Sequence, residues 1–276
     1  MREAWAMSDR VTISIDGGVA DVRLNRPDKR NALDNAMFSA LAEAGESLKS
    51  EPAVRVVVLS GEGASFCAGL DFSSFQAMAG DDDQRAAATE GSPGTLAEGR
   101  ITHLGQQVAW VWQEIPVPVI AALHGHALGG GLQIALGADI RIAHPDTKMS
   151  VREIHWGLVP DMTGTFMLSQ LVRPDVAREL TYTARLVGGS EAAELGLVTR
   201  LSDAPYDDAM ALAGEIAVRS PGAVRGAKEL FNRLDHDGAA EQFAEERRVI
   251  ATQIGSPNQV EAVMAGFENR DPVFTD

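Results

Sequence analysis

ALHGHALGGGLQIALGADIR, residues 122–141, decides how the chain folds. The apolar run Val117–Leu123 leads into it as a buried strand and ends at His124-Gly125-His126. Gly129-Gly130-Gly131 follow, and an apolar helix is expected from Leu132 to Gly137. Glycines at a strand-to-helix junction let backbone N–H groups approach a ligand with no side chain between. A helix starting there adds unpaired amides and the positive end of its dipole. Such a turn suits an oxygen that becomes negative during a reaction. From the triplet alone, a tight turn needed only for packing fits equally well.

Upstream, Val11–Ile15 and Val19–Leu24 alternate around Asp16-Gly17-Gly18, the pattern of a β-hairpin. A polar loop from Asn25 to Asn31 precedes an amphipathic helix that Asp34 or Asn35 caps and that reaches Lys49. Glu51-Pro52 breaks the chain before the β-branched strand Val54–Leu59, and a loop carries Ser65-Phe66-Cys67-Ala68-Gly69-Leu70-Asp71. The polar, alanine-rich stretch 74–99 reads as a lid or as a tolerated insertion. A helix over Ile101–Glu114 then leads back to the central strand.

Downstream, Ile140–Ala143 is a short strand and Met149–His155 is extended or looped. Helices are expected at Thr163–Leu171 and Asp175–Thr183, and Ser190 is expected to cap another. Strand followed by helix, repeated, implies an α/β architecture. Past Pro205 only helical patterns remain, over Tyr206–Arg219, Pro221–Leu234, Gly238–Ile254 and Pro257–Gly266. The expected organisation is therefore a disordered extension over 1–10, with Met7 as an alternative start, a core over 11–205 and a helical assembly region over 206–276.

A net charge of −15 argues against broad binding to nucleic acid or anionic membranes. No apolar run approaches the ~20 residues of a membrane span. The N-terminus lacks the apolar block of a signal peptide, and the single Cys67 excludes an internal disulfide framework, so a cytoplasmic location is expected. There is no G-x-S-x-G elbow, Walker A loop or G-x-G-x-x-G fingerprint. His124 and His126 could face one way as a metal pair, but no third ligand stands at a recognisable spacing, so no metal is expected. Cys67 is read as a packed, inert thiol.

Taken together, LNRPDKRNALD (24–34), SFCAGLD (65–71), HGHALGGGLQIALGADIRIA (124–143), REIHWGLVPDMTGT (152–165) and AVRGAKELF (223–231) resemble the enoyl-CoA hydratase/isomerase, or crotonase, superfamily. The resemblance spans nearly the whole chain in family order. It implies a crotonase-like spiral of ββα repeats, followed by a C-terminal helical module that builds a homo-trimer or a dimer of trimers. It further implies an acyl-CoA thioester substrate, with coenzyme A entering as part of the substrate and no separate cofactor. By position, the thioester oxygen would lie between the backbone N–H groups of Leu70 and Gly130. Lys29, Arg30, Ala32, Ala68, Asp71 and Lys228 are the corresponding substrate and CoA contacts. A surface turn for Lys29 and Arg30, and an exposed helix lysine for Lys228, are the plainer alternatives.

Hydratases of this family carry two glutamates. One is present as Glu153, four residues before the Gly157-Leu158-Val159-Pro160 turn, but Gln133 stands in place of the other. Glutamine can orient water, yet it cannot exchange a proton near neutral pH. A lone carboxylate suffices for Δ3-Δ2-enoyl-CoA isomerisation: it takes a proton from C2 and returns it at C4, a role suited to a Glu153 whose pKa is raised by burial. A structural ion pair near Arg152 or with Arg141 is the alternative for Glu153. Asp161 occupies the place of an aspartate in the family's dienoyl-CoA isomerases, or else caps the following helix. His155 and Trp156 line the acyl pocket or only fill a turn. Three readings stand: single-glutamate isomerase, hydratase with Gln133 replacing a catalytic glutamate and Asp161 or His155 assisting, and non-catalytic acyl-CoA-binding protein.

Overall fold

The computed structural model describes residues 3–6, 8–71, 102, 104–153, 160–234 and positions 268, 270, 273 and 275. The stretch 74–99, His155, Trp156, the turn 157–159 and the helices expected over 238–254 and 257–266 lie outside the described residues.

Strands β2 (Val11–Asp16) and β3 (Val19–Leu24) form the expected hairpin, with Val11 opposite Leu24 and Asp16 opposite Val19. Gly17 and Gly18 both take positive φ, 57° and 84°, as a two-residue turn between twisted strands requires. β1 (Glu3–Ala6) lies antiparallel along β2, Glu3 opposite Ile15. This corrects the expectation of a disordered extension: the outer edge of β2 offers unpaired backbone groups, and these four residues take them.

β4 (Val56–Gly61), β5 (Val119–Leu123), β7 (Ile140–Ala143) and β10 (Arg200–Leu201) continue the sheet in parallel, in the order β1-β2-β3-β4-β5-β7-β10. Parallel strands are covered on both sides, which is why Val56–Leu59 and Val119–Leu123 are apolar at every position. Val57, Leu59, Val119, Ala121 and Leu123 face one core, shared with α1 (Asn35–Lys49) and α2 (Leu104–Glu114). Their neighbours Val56, Val58, Ile120, Ala122 and Ile142 face the other side, where α7 (Pro205–Ala217) lays down Ala209, Ala213 and Ala217.

The boundary expected at residue 205 therefore does not separate two cores. The second face of the sheet needs an apolar cover, and the small side chains of α7 let that helix approach closely. Tyr206 ties it down, donating to Asp21 Oδ2 at 2.9 Å beneath the Arg23 guanidinium, which lies 4.5 Å from the ring centre.

A second, three-stranded sheet consists of β6 (His126–Leu128), β8 (Lys148–Ser150) and β9 (Val187–Gly188), in the order β6-β8-β9. Each is too short for its periodicity to be read. The chain passes from β5 to β6 to α3 (Gly130–Leu136), and from β7 to β8 to α4 (Gly164–Leu171), so each turn of the spiral adds one strand to each sheet. α5 (Pro174–Thr183), α6 (Gly189–Leu195) and α8 (Pro221–Asn232) complete the described helices.

Asp34 caps α1 by accepting from Met37 N at 2.8 Å. Ser190 does not cap α6; that position belongs to Gly188, and the helix starts two residues earlier than expected. α3 begins at Gly130 instead of Leu132, with Gly129 as its cap at φ 51°.

Candidate active site

Three segments run side by side beneath the site. Phe66 N and Cys67 N donate to the carbonyls of His124 and His126, both at 2.9 Å, and Leu128 N returns a bond to Cys67 O at 3.1 Å. On the other side, Ala68 N donates to Arg30 O at 3.0 Å, Leu33 N to Gly69 O at 2.8 Å and Asp71 N to Leu33 O at 3.0 Å. The pairing leaves out the N–H groups of Leu70 and Gly130. Neither amide donates to an acceptor among the described residues.

Two close approaches measure how tightly these segments are laid together. A Cβ on Gly69 would lie 2.7 Å from Leu128 O, and one on Gly131 would collide with the Cys67 carbonyl oxygen. Glycine is required at both places for these segments to pack so closely. α3 has only seven residues, so its dipole counts for less than its individual N–H groups.

The loop from Arg26 to Leu33 is braced from within. Arg26 pairs with the carboxylate of Asp71 and donates to Ala32 O at 3.1 Å. Asn31, fully buried with φ 57°, donates through Nδ2 to Glu62 O at 2.9 Å and Ser65 O at 2.8 Å. Sequence reading missed Asn31, although asparagine in a turn is the residue that tolerates this backbone region and also carries a side-chain donor. Asp71, expected to contact substrate, instead neutralises Arg26 and holds the loop. Lys29 and Arg30 remain exposed, Ala32 is buried and Ala68 is partly buried.

Glu153 follows β8 and reaches back beneath Gly129. It is 8% exposed, and its Oε1 accepts from Gln133 Nε2 at 2.6 Å. Oε2 is buried with no hydrogen-bond partner among the described residues. A Cβ on Gly129 would come within 3.2 Å of Oε1, so the positive φ there keeps the carboxylate uncrowded. Burial pushes the Glu153 carboxyl above the usual carboxylate range, and the negative charge of Asp161 pushes the same way. Hydrogen bonds from the Glu153 backbone N–H, from Gln133 and from the Arg152 backbone N–H oppose the shift.

The alternative of a structural ion pair fails on geometry. Arg152 turns to Ala184 O at 2.8 Å. Arg141 is buried elsewhere against Leu197 O and Ala138 O, its pKa lowered to about 10 by burial.

Gln133 is held at both ends of its amide. Its Oε1 accepts from Met162 N at 2.9 Å and Gly164 N at 3.0 Å, and its Nε2 faces Glu153. These two amides fix which end of the side chain is oxygen. Asp161 is exposed and is not the cap of α4. That position belongs to Thr163, whose side chain makes no cap bond.

Lys228 departs furthest from expectation. Its ammonium donates to Trp112 O at 3.0 Å, Val117 O at 2.9 Å and Asp139 Oδ2 at 2.8 Å, which uses all three hydrogens. It is 6% exposed, and burial lowers its pKa against the pull of Asp139. This is an anchor for α8, and the assignment to CoA binding is withdrawn. Lys228→Met is expected to destabilise the protein by about 3–5 kcal/mol, because Asp139 and two carbonyls lose their donor. Urea unfolding measures that loss, with acyl-CoA affinity unchanged in the folded protein. Weakened acyl-CoA binding at unchanged stability would restore the ligand role.

Cys67 is fully buried, with its thiol pushed up to about 12 by desolvation. His126 Nδ1 contacts Ser65 Oγ at 3.0 Å and His124 Nε2 contacts Gly63 O at 2.9 Å, so both rings are engaged with the 63–65 turn.

The amides of Leu70 and Gly130, without an acceptor among the described residues, and a buried carboxylate with one oxygen unpartnered among them, are groups able to hold a negative oxygen and to move a proton. Residues 14–276 match the family model described as enoyl-CoA hydratase/isomerase, and the chain belongs to that family. It is 35% identical over 264 residues to enoyl-CoA hydratase domain-containing protein 2, mitochondrial, of Mus musculus, covering 93% of this chain and 84% of the relative. It is 33% identical over 265 residues to the Mus musculus mitochondrial Delta(3,5)-Delta(2,4)-dienoyl-CoA isomerase, covering 92% and 77%.

Among solved structures, enoyl-CoA hydratase from Bacillus anthracis superposes with a TM-score of 0.83 at 28% identity, covering 96% of this chain and 98% of that one. The enoyl-CoA hydratase of Mycobacterium smegmatis gives 0.80 at 30% identity, covering 96% and 99%. The fold is the crotonase fold, and the chain is an enzyme of the enoyl-CoA hydratase or isomerase kind. No helix among the described residues is long and apolar enough to cross a membrane.

Proposed function

We propose that this enzyme is a Δ3-Δ2-enoyl-CoA isomerase with Glu153 as its only proton carrier. The observation that supports this reading is the state of the Glu153 carboxylate: buried, one oxygen held by the neutral amide of Gln133, the other without a partner among the described residues. Adding water to a double bond calls for a proton taken from water and a proton delivered to carbon. Glu153, taken as the one acid–base group at work, suits a reaction in which one proton leaves and returns.

In the proposed reaction the thioester oxygen lies between Leu70 N–H and Gly130 N–H. Oε2 of Glu153 takes the proton from C2, and the electron pair of that C–H bond spreads into a dienolate with its charge on the thioester oxygen. Two fixed amides in a site without water stabilise that charge by roughly 2.7–4 kcal/mol for each donor. The proton then passes from Oε2 to C4, and the double bond settles between C2 and C3. Lys29 and Arg30, exposed in the 26–33 loop, are the proposed contacts for the phosphates of CoA. No cofactor takes part beyond the coenzyme A that the substrate brings.

The names of the relatives favour hydration as the second reading. It would need Asp161, which is exposed, or His155 to supply the missing proton carrier. Incubation with 3-enoyl-CoA and, separately, 2-enoyl-CoA substrates distinguishes the two. The isomerase reading predicts conversion of the 3-enoyl to the 2-enoyl thioester with little 3-hydroxyacyl-CoA. Formation of 3-hydroxyacyl-CoA from the 2-enoyl substrate, with the 3-enoyl substrate untouched, would reject it. Binding of both without turnover would leave a non-catalytic acyl-CoA-binding protein.

A further inference from the structure

Gln133 is buried at 1% exposure, and both polar atoms of its amide are engaged. Its carbonyl oxygen receives two converging backbone N–H groups, from Met162 and Gly164. Thr163, between them, sits at φ 67° and ψ 2°, a left-handed conformation that a β-branched residue adopts only under strain. Alternating backbone conformations of this kind turn neighbouring amides toward one acceptor. The surrounding packing thus maintains a strained residue where its effect is to hold one amide oxygen and so fix the orientation of one amide nitrogen.

We propose that Gln133 is a positioning residue that makes Glu153 a one-oxygen base: its Nε2–H occupies Oε1, and proton transfer runs through Oε2 alone. This deepens the isomerase reading and rests on it for the identity of the reaction, while the base function itself can be tested separately. Without the Gln133 donor, the carboxylate could rotate and present either oxygen, and its anion would lose a charge-assisted hydrogen bond. The backbone N–H of Glu153, the side chain of Gln133 and the backbone N–H of Arg152 favour the anion, Asp161 ahead of α4 opposes it, and the Arg152 side chain is turned away to Ala184 O. The loss of Gln133 is therefore not compensated by a nearby cation among the described residues.

The test is exchange of deuterium from solvent into C2 of saturated thioesters, using butyryl-, octanoyl- and dodecanoyl-CoA. This needs only enolisation: the C2–H bond breaks, the proton goes to Glu153, and a deuteron returns to the same carbon. In Gln133→Met the rising limb of the rate against pH is expected to move up by roughly one pH unit, because the hydrogen bond that lowered the pKa is gone. The plateau should fall roughly tenfold, because the carboxylate is less well oriented. A purely structural Gln133 would lower stability and leave the midpoint in place, and that result overturns the proposal.

Met162 N and Gly164 N lose their acceptor in this variant. If it does not fold, Gln133→Glu, which keeps the acceptor, takes its place. Two carboxyls in contact titrate as a pair, so exchange should then rise in two steps, the upper one above the wild-type midpoint. A single step at the wild-type position shows that residue 133 does not touch the base and also overturns the proposal. Exchange by the wild type without isomerisation of 3-enoyl-CoA refutes the reaction assigned above but not the role of Gln133. No exchange by the wild type refutes both.

Discussion

Glu153→Gln is expected to lower isomerisation of 3-enoyl-CoA by roughly 10²–10⁴-fold, the range that one general acid–base group supplies. The substitution is nearly isosteric, and the carbonyl of the introduced amide can still accept from Gln133 Nε2, so acyl-CoA binding should persist. The effect on stability has the opposite sign. Burial raises the pKa of the folded Glu153 carboxyl above its ordinary range. A group shifted in this direction contributes stability below its unfolded pKa, and that contribution is lost as pH rises through the folded value. At neutral pH the buried carboxylate therefore costs stability, and the neutral amide should be at least as stable.

Thermal unfolding and turnover measured on the same samples check both halves. A variant that unfolds early and regains no activity when stabilised would point to a structural Glu153. The acid limb of the wild-type rate should likewise lie above the ordinary glutamate range, since only the anion can remove a proton.

Gln133→Glu is expected to produce the second large effect, a gain. The new carboxylate keeps one oxygen in the grip of Met162 N and Gly164 N and turns the other toward Glu153 Oε1, where the amide nitrogen now lies at 2.6 Å. Two carboxylates at that distance cannot both ionise near neutral pH, so the pair retains one proton. It then has what hydration calls for, one basic and one acidic carboxyl side by side. Water addition to 2-enoyl-CoA should rise by about tenfold or more, within the range open to a second acid–base group. Measurement of 3-hydroxyacyl-CoA formation checks this. An unchanged hydration rate would show that the glutamine is not what limits the reaction here.

Much of this arrangement was legible in the sequence because its parts are local. The hairpin follows from Asp16-Gly17-Gly18 between alternating strands, and the close packing of the 67–69 and 128–131 segments follows from glycines that the backbone cannot do without. What escaped detection was long-range or too short for a pattern. β6, β8 and β9 span two or three residues each, below any readable period. α7 looked like the start of a separate module because alanine at positions 209, 213 and 217 gives no sign of which surface it covers.

Lys228 shows why a motif match identifies a residue and not its role. The sequence places a lysine on an amphipathic helix, but three acceptors from the end of α2, the approach to β5 and the loop before β7 decide that it is buried. Gln133 was singled out by what it replaces. Its actual partners, two backbone amides some thirty residues later, leave no trace in side-chain identity.

The most direct measurement is a crystal structure of the Glu153→Gln protein with an unconverted 3-enoyl-CoA bound. The thioester oxygen should lie about 2.7–3.1 Å from both Leu70 N and Gly130 N, with the end of side chain 153 that faces away from Gln133 reaching over C2 and C4. A thioester oxygen that meets neither amide, or a residue 153 that points away from the acyl chain, would contradict the mechanism.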